Sequence, residues 1–279
     1  MHDVSVVIVN YNMKERIDRC LASLFEDIKG ESLSIDVVVV DNASDDGSLE
    51  LLKNKYPEAR LLPQSKNVGF GVAQNIGLAS AQSQYYFVLN PDTYFYPGEK
   101  TIRKLYDFME QEKKIGIVGP KILYPDRSIQ YSCYRFPSFW HPFFIRTTIT
   151  NKKGERYQRY FAMKEYDHQE KRPVDWLMGS ALFIRGSALA EVGIFDESFW
   201  MYYEDSDLCR RFWEKGWGVY YFPMVSIEHV HSRGSAAIPG IFSAFLRNKL
   251  ARVHVASWLR YMWKWRGNNK FYYGRKKTA

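Results

Sequence analysis

The chain has 279 residues, 46% hydrophobic and 25% charged, the composition of a globular protein with room for a full core rather than a disordered one. No apolar run reaches bilayer length, and the three cysteines (Cys20, Cys133, Cys209) show neither disulfide-framework nor metal-site spacing, as expected of reduced cytosolic thiols. Of 39 basic and 31 acidic residues, 11 basic and no acidic ones fall in His229–Ala279. The whole net charge of +8 therefore comes from the C-terminal fifth, and the tail points to a negatively charged partner.

Met1 leads straight into a strand pattern, without signal-peptide architecture. Val4–Val9 is a β-branched run, and Lys14–Ile28 places Ile17, Cys20, Leu21, Leu24, Phe25 and Ile28 on one helical stripe. Ile35–Val40 reads as a second buried strand, Asp45–Ser48 opens a short helix to about Lys55, and Arg60–Leu62 is a short strand. A helix over Gly69–Ala81, with small residues on one side, precedes a strand at Tyr85–Leu89, a helix at Gly98–Gln111 and a strand at Ile115–Val118. Strands separated by helices of this length are βαβ units, so the expected fold is α/β, a doubly wound and mainly parallel sheet. The alternation lapses over 126–173, an aromatic and basic stretch expected to run over the surface beside the acceptor. Trp176–Ile184 then reads as a strand, Asp205–Lys215 as a helix, Gly218–Phe222 as a strand, and Ile241–Trp265 as one basic amphipathic helix. The expected organisation is one domain over 1–240, followed by a basic helix and tail over 241–279.

Chemistry-bearing residues fall at the ends of these elements. Asn90-Pro91-Asp92-Thr93-Tyr94 follows the buried run 85–89 directly. A carboxylate at the C-terminal edge of a parallel sheet sits where α/β proteins place ligands, and Asp92 is positioned to hold a divalent metal against a diphosphate. The same residues also make good turn chemistry. Asp41 ends the second strand, where it either accepts the imide N–H of uracil or thymine or caps the turn; Tyr11 is placed to stack on that base. Asn67–Gly77 opens a helix with small residues, suited equally to close approach of a phosphate and to tight helix–sheet packing. In Phe199–Arg211, aromatics precede Glu204, Asp205 and Asp207 at a helix start. The helix dipole favours acids there, and an aromatic wall beside a carboxylate suits a sugar site with a general base. His229 and His231 follow a strand-like run, either one a candidate for a metal or a phosphate.

In order along the chain, Val4–Asn12, Val40–Ser44, Asn67–Gly77, Leu89–Thr93, Asp175–Ala181, Val192–Glu197, Tyr203–Leu208 and the His229 region resemble a family 2 glycosyltransferase of the GT-A fold, specifically its bacterial rhamnosyltransferase-like branch. The resemblance implies inverting transfer of a sugar, L-rhamnose from dTDP-rhamnose, to a hydroxyl of a glycan or lipid-linked acceptor in cell-surface polysaccharide synthesis. It implies that Asp41 contacts the donor base and that Asp205, paired with Glu204, is the catalytic base. Asp92 and His229 would hold Mg²⁺ or Mn²⁺. Asn10, Tyr11, Asn67, Gly69, Asn75 and Asn90 would join them on the donor side; Trp176, Gly179, Asp207 and His231 would lie on the acceptor side. Position 90 is Asn where many relatives carry Asp, which removes one negative charge from the metal site.

The basic C-terminal helix carries an apolar stripe of Phe242, Phe245, Leu246, Leu250, Val253, Leu259, Met262 and Trp263, with arginines and lysines interspersed. It is expected to hold the protein on an anionic membrane surface, at the cytoplasmic face of the plasma membrane, or else to pack on the domain with a solvated basic face. No nucleic acid is expected as partner, because the tail aromatics follow helical spacing and no nucleic-acid motif is present. The same fold using a UDP- or GDP-sugar, and a non-catalytic nucleotide-sugar or nucleic-acid binder, are the competing readings.

Overall fold

The computed structural model describes residues 1–141, 151–230 and 248–268. Its first half alternates β1 (His2–Asn10), α1 (Lys14–Ile28), β2 (Ile35–Asp41), α2 (Ser48–Lys55), β3 (Arg60–Pro63), α3 (Phe70–Ala79) and β4 (Ser83–Leu89). There follow β5 (Thr93–Phe95), α4 (Thr101–Gln111), β6 (Ile115–Leu123), β7 (Ile129–Gln130), β8 (Cys133–Tyr134), α5 (Asn151–Phe161), β9 (Arg172–Pro173) and β10 (Trp176–Leu177). The chain continues with β11 (Ala181–Arg185), α6 (Gly186–Val192), α7 (Glu204–Glu214), β12 (Gly218–His229) and α8 (Lys249–Lys264).

The main sheet runs β3-β2-β1-β4-β11-β6-β12-β5. β3, β2, β1 and β4 are mutually parallel, as expected of βαβ units, and so are β6 and β12. β11 is antiparallel to both of its neighbours, and β5 is antiparallel to β12, so the sheet is mixed rather than mainly parallel. Side-chain alternation sorts the core onto two faces. Val4, Val6 and Ile8 pack under Ile17, Leu21 and Leu24 of α1, while Val7, Val38 and Val88 face Leu78 of α3 and the cluster around α6 and α7. Each such fully buried aliphatic side chain contributes on the order of 1.5–3 kcal/mol. α3 lies close to the sheet because a Cβ on Gly77 would stand 2.2 Å from Val7 Cγ1.

Three sequence expectations change. The strand over Trp176–Ile184 is two strands, β10 pairing with β8 and β11 in the main sheet, broken at Met178–Ser180. β12 runs on to His229, past Pro223, through a register shift between Phe222 and Ser226, so His229 ends the strand rather than following it. Within 126–173, where the alternation lapses in sequence, the described residues form β7, β8, β9 and the helix α5.

The C-terminal helix, expected over 241–265, is described from Lys249, with Asn248 accepting from the Leu250 N–H at 2.9 Å as its N-cap; 241–247 lie outside the described residues. Ala251, Trp258 and Tyr261 are buried, and Trp258 and Tyr261 cluster with Phe199 and Tyr203, whereas Leu259 and Trp263 of the expected stripe are exposed. α8 is thus packed on the domain, over the loop that enters α7. Ser257 Oγ donates to the Met201 carbonyl at 2.8 Å, Arg260 to that of Ser198, and Lys264 pairs with Asp196 at 2.5 Å and Asp207 at 2.8 Å.

Candidate active site

Neighbouring parallel strands end together, which brings Asn10, at the end of β1, beside Asp41, at the end of β2. Asp41 is buried; its Oδ1 accepts from Asn10 Nδ2 at 3.0 Å and its Oδ2 from the Ser44 N–H at 3.1 Å. Asn10 Oδ1 is buried without a hydrogen-bond partner among the described residues. Tyr11, next in sequence, is exposed.

Asn42 ties this corner to α3. Its Oδ1 accepts from the Val68 N–H at 3.0 Å, and its Nδ2 donates to Asn67 Oδ1 at 3.1 Å. Asn67 therefore shapes the loop. Gly69 has φ +89°, and a Cβ there would meet Trp200 at 2.6 Å, so its missing side chain accommodates Trp200. Asn75 is also engaged by protein: it donates to the Phe195 carbonyl at 2.9 Å and accepts from the Phe195 N–H at 3.0 Å, fastening α3 to the 193–199 turn.

Beyond β4, Asn90 donates its backbone N–H to the Ser180 carbonyl at 2.9 Å, and its amide makes no side-chain hydrogen bond among the described residues. Asp92 is buried. Its Oδ2 lies 3.2 Å from Arg16 Nη1, and its Oδ1 lies 3.3 Å from His229 Nε2, which β12 carries alongside β5. His229 Nδ1 stands 2.5 Å from Gln130 Oε1; an amide oxygen only accepts, so Nδ1 carries the proton. Nε2, on the far side of the ring, faces the Asp92 carboxylate oxygen. An imidazole nitrogen and a carboxylate oxygen, with the ring oriented from its far nitrogen, are ligand types that fit a divalent cation. Among the described residues, no group of three or more His, Cys, Asp or Glu side chains is arranged for a metal, so protein side chains alone do not complete a ligand set here.

Ser180 links the donor corner to α7. Two residues before Ala181, the chain turns at Gly179, whose N–H donates to Asp205 Oδ2 at 2.9 Å; the Ser206 N–H donates to Asp205 Oδ1 at 2.7 Å. A Cβ on Gly179 would sit 3.4 Å from this carboxylate. Asp205 is half-buried, and burial pushes its pKa up to about 6 against the lowering effect of those two N–H groups. Glu204 is buried and its pKa is raised well above the carboxylate range, first by burial and then by the Asp205 charge. Its Oε2 has no partner among the described residues. Glu204 therefore holds the proton of the pair and Asp205 carries the charge. The turn before them is held open by force: Tyr202 and Tyr203 have φ of +70° and +68°. Each left-handed non-glycine residue costs roughly 1–3 kcal/mol, offset by the packing of α8, where Tyr203 meets Tyr261 at 5.4 Å.

Asp207, expected on the acceptor side, is engaged within the protein. It is fully buried and bound by Arg211 at 2.9 Å, Lys264 at 2.8 Å and Trp265 Nε1 at 2.9 Å, the anchor of α8. Trp176 donates to the Arg135 carbonyl at 2.9 Å and stacks on Tyr134, within the small β8–β10 sheet. His231 lies outside the described residues. Arg16, Gln130 and Ser180 were not legible as site residues: each sits in an ordinary helix, strand or loop pattern and acts only through a long-range contact.

A family model described as "Glycosyl transferase family 2" matches residues 5–185. Over 246 residues the chain is 33% identical to the N-acetylglucosaminyl-diphospho-decaprenol L-rhamnosyltransferase of Mycobacterium tuberculosis, a match covering 82% of this chain and 77% of that one. Among solved structures, S. aureus TarS superposes with a TM-score of 0.58 at 15% identity, over 94% of this chain and 43% of that chain. GalNAc-T7 with UDP, GalNAc and Mn²⁺ superposes with a TM-score of 0.59 at 14% identity, over 83% and 44%. The two structures share the GT-A fold with this chain, and the extent of the family match together with the mycobacterial relative places the chain in glycosyl transferase family 2.

Proposed function

We propose that this glycosyltransferase is an inverting enzyme that moves L-rhamnose from dTDP-rhamnose to a hydroxyl of a lipid-linked glycan acceptor. The observation that carries the mechanism is the Glu204–Asp205 pair: one carboxyl kept neutral by burial, the next kept charged by two backbone N–H groups and poised near neutral pH. The choice of rhamnose and of a lipid-linked acceptor draws support from the name of the mycobacterial relative.

Asp205 takes the proton of the acceptor hydroxyl as its oxygen attacks the anomeric carbon from the face opposite the nucleotide. The thymine base lies at Asp41, Asn10 and Tyr11, where buried acceptors meet its imide N–H. Asp92 and His229 would hold Mg²⁺ or Mn²⁺, whose charge offsets that of the leaving diphosphate. Asn67, Gly69 and Asn75 shape this corner through the protein; Trp176 and Gly179 border the acceptor side, Gly179 through its bond to Asp205.

Acceptors of this class sit at a membrane. No helix among the described residues is long and apolar enough to cross one. The exposed face of α8 (Arg252, Leu259, Arg260 and Trp263), with Arg266 just past its end, combines aromatic and basic residues suited to an anionic surface on the cytoplasmic side.

Calorimetric titration with dTDP, UDP and GDP, with and without Mn²⁺, tests the donor, and NMR of the product tests the stereochemistry. Metal-dependent preference for dTDP and an anomeric configuration opposite to that of the donor are expected. Preference for UDP or GDP would reassign the sugar, and a retained configuration would remove the single-displacement mechanism.

A further inference from the structure

We propose that the turn carrying Phe139 and Trp140 is a second membrane contact, which inserts beside α8 into an anionic bilayer and so sets the height of Asp205 above it. The inference rests on the reading of α8 as a membrane face. Phe139 and Trp140 are adjacent, and they stand 52% and 59% exposed. Neighbouring aromatic rings left in water are unfavourable until something covers them. The Phe139 ring packs on Trp140 at 5.5 Å and on Trp258 of α8 at 5.2 Å. Trp258 sits on the flank of α8, between the side that carries Ser257 and Tyr261 onto the domain and the side that leaves Leu259 and Trp263 exposed. Turn and helix therefore present one continuous apolar surface, edged by Arg252 and Arg260, with Arg266 just past the helix end. No acidic residue occurs in Lys249–Lys264. Aromatic rings among cations, without a carboxylate, match the boundary between headgroups and chains of an anionic bilayer. The same charge repels a second copy of this surface.

The base of the turn is held by the domain. Ser138 Oγ lies 3.2 Å and His141 Nδ1 3.1 Å from the Tyr157 hydroxyl, and the His141 ring lies 4.1 Å from that of Phe161, both partners being on α5. The chain reaches the turn from β8, which pairs with β10, Cys133 opposite Leu177. Just past β10, Met178 donates its N–H to the Ser132 carbonyl at 2.8 Å, and Gly179 donates to Asp205. The aromatic tip and the proposed base thus hang from the same two-stranded sheet. A tip seated in the headgroup layer fixes how far Asp205 stands from the bilayer, where a membrane-bound acceptor presents its hydroxyl.

The test is nitroxide labelling of Trp140→Cys, of Trp263→Cys and, as control, of Lys53→Cys on α2. The three native cysteines are buried, so each label reports from its own position. Electron paramagnetic resonance reads collisions of the label with lipid-soluble oxygen and with a water-soluble nickel complex, with and without phosphatidylglycerol vesicles. On adding vesicles at low salt, oxygen collisions should rise and nickel collisions fall severalfold at 140 and 263, with neither changing at 53. Trp140→Ala should also sediment with those vesicles severalfold more weakly than wild type, with an unchanged thermal melt. A label at 263 that becomes embedded while the one at 140 stays in water, or wild-type sedimentation of Trp140→Ala, would overturn the role of the turn and leave that of α8. Labels that stay in water at both positions would remove the membrane reading of α8 and this inference with it. A label at 140 shielded from nickel before lipid is added, in a particle of twice the chain mass by light scattering, would assign the surface to a second copy instead.

Discussion

Glu204 and Asp205 are adjacent acids with opposite electrostatic fates, and the difference lies in their backbone surroundings. Asp205 accepts two N–H bonds, from Gly179 and Ser206, and Glu204 Oε2 has none among the described residues. As the proposed base, Asp205 would act only when ionised, and with its pKa pushed up to about 6, kcat/KM should rise with pH through about 6 and level off above it, which a pH–rate profile checks. For Glu204 the folded state keeps a proton that the unfolded chain releases in the ordinary carboxylate range. The folded state then binds more protons, and this group's contribution to stability falls as pH rises. Glu204→Gln mimics the neutral form, so thermal melts should show it more stable than wild type at pH 8 and equal to it near pH 4. The acids themselves were legible in the sequence as a cluster at a helix start. The division of labour was not, because it depends on Gly179, 26 residues upstream, and on burial. Asp207 shows the same limit: the sequence presents it as a third acid of the cluster, while its partners Lys264 and Trp265 lie at the C-terminal end of α8 and just past it.

At the scale of elements, contiguous patterns were read closely and pairings were not. β1 and α1 appear where a β-branched run and a one-sided helical stripe placed them. The break at Met178–Ser180 interrupts what reads as one apolar strand, because Gly179 must turn its N–H toward Asp205. The reversed direction of β11 has no local signature at all, since strand orientation is set by the connection and not by side-chain alternation. α8 has its clearest consequence here: it buttresses a turn with two left-handed tyrosines. Tyr261 is fully buried against Tyr203, so Tyr261→Ala should cost about 3 kcal/mol in denaturant unfolding and should lower kcat beyond the loss of folded protein. A stability loss with full turnover per folded molecule would separate the helix from the site.

For the molecule as a whole, one sheet edge gathers Asn10, Asp41 and Asn90, and a relay of backbone contacts through Ser180 and Gly179 joins that edge to Asp205. Composition alone located the positive charge in the tail, and the structure adds which side of α8 faces outward. That side should hold the protein on anionic vesicles at low salt and release it at high salt, because exposed charges are screened over about 8–10 Å at physiological ionic strength. Trp263→Ala should weaken sedimentation with such vesicles severalfold while leaving the fold intact, since this side chain is 68% exposed. Vesicle binding unaffected by salt and by this substitution would move the membrane contact elsewhere.

Single-turnover transfer from dTDP-rhamnose by Asp205→Asn and Glu204→Gln, measured beside dTDP affinity, tests the assignment of the base most directly. Asp205→Asn should lose roughly 10²–10⁴ in rate with nucleotide affinity retained, and Glu204→Gln should stay within about tenfold of wild type. Wild-type-like transfer by Asp205→Asn, or an equal loss in both variants, would contradict the division of roles between the two carboxyls.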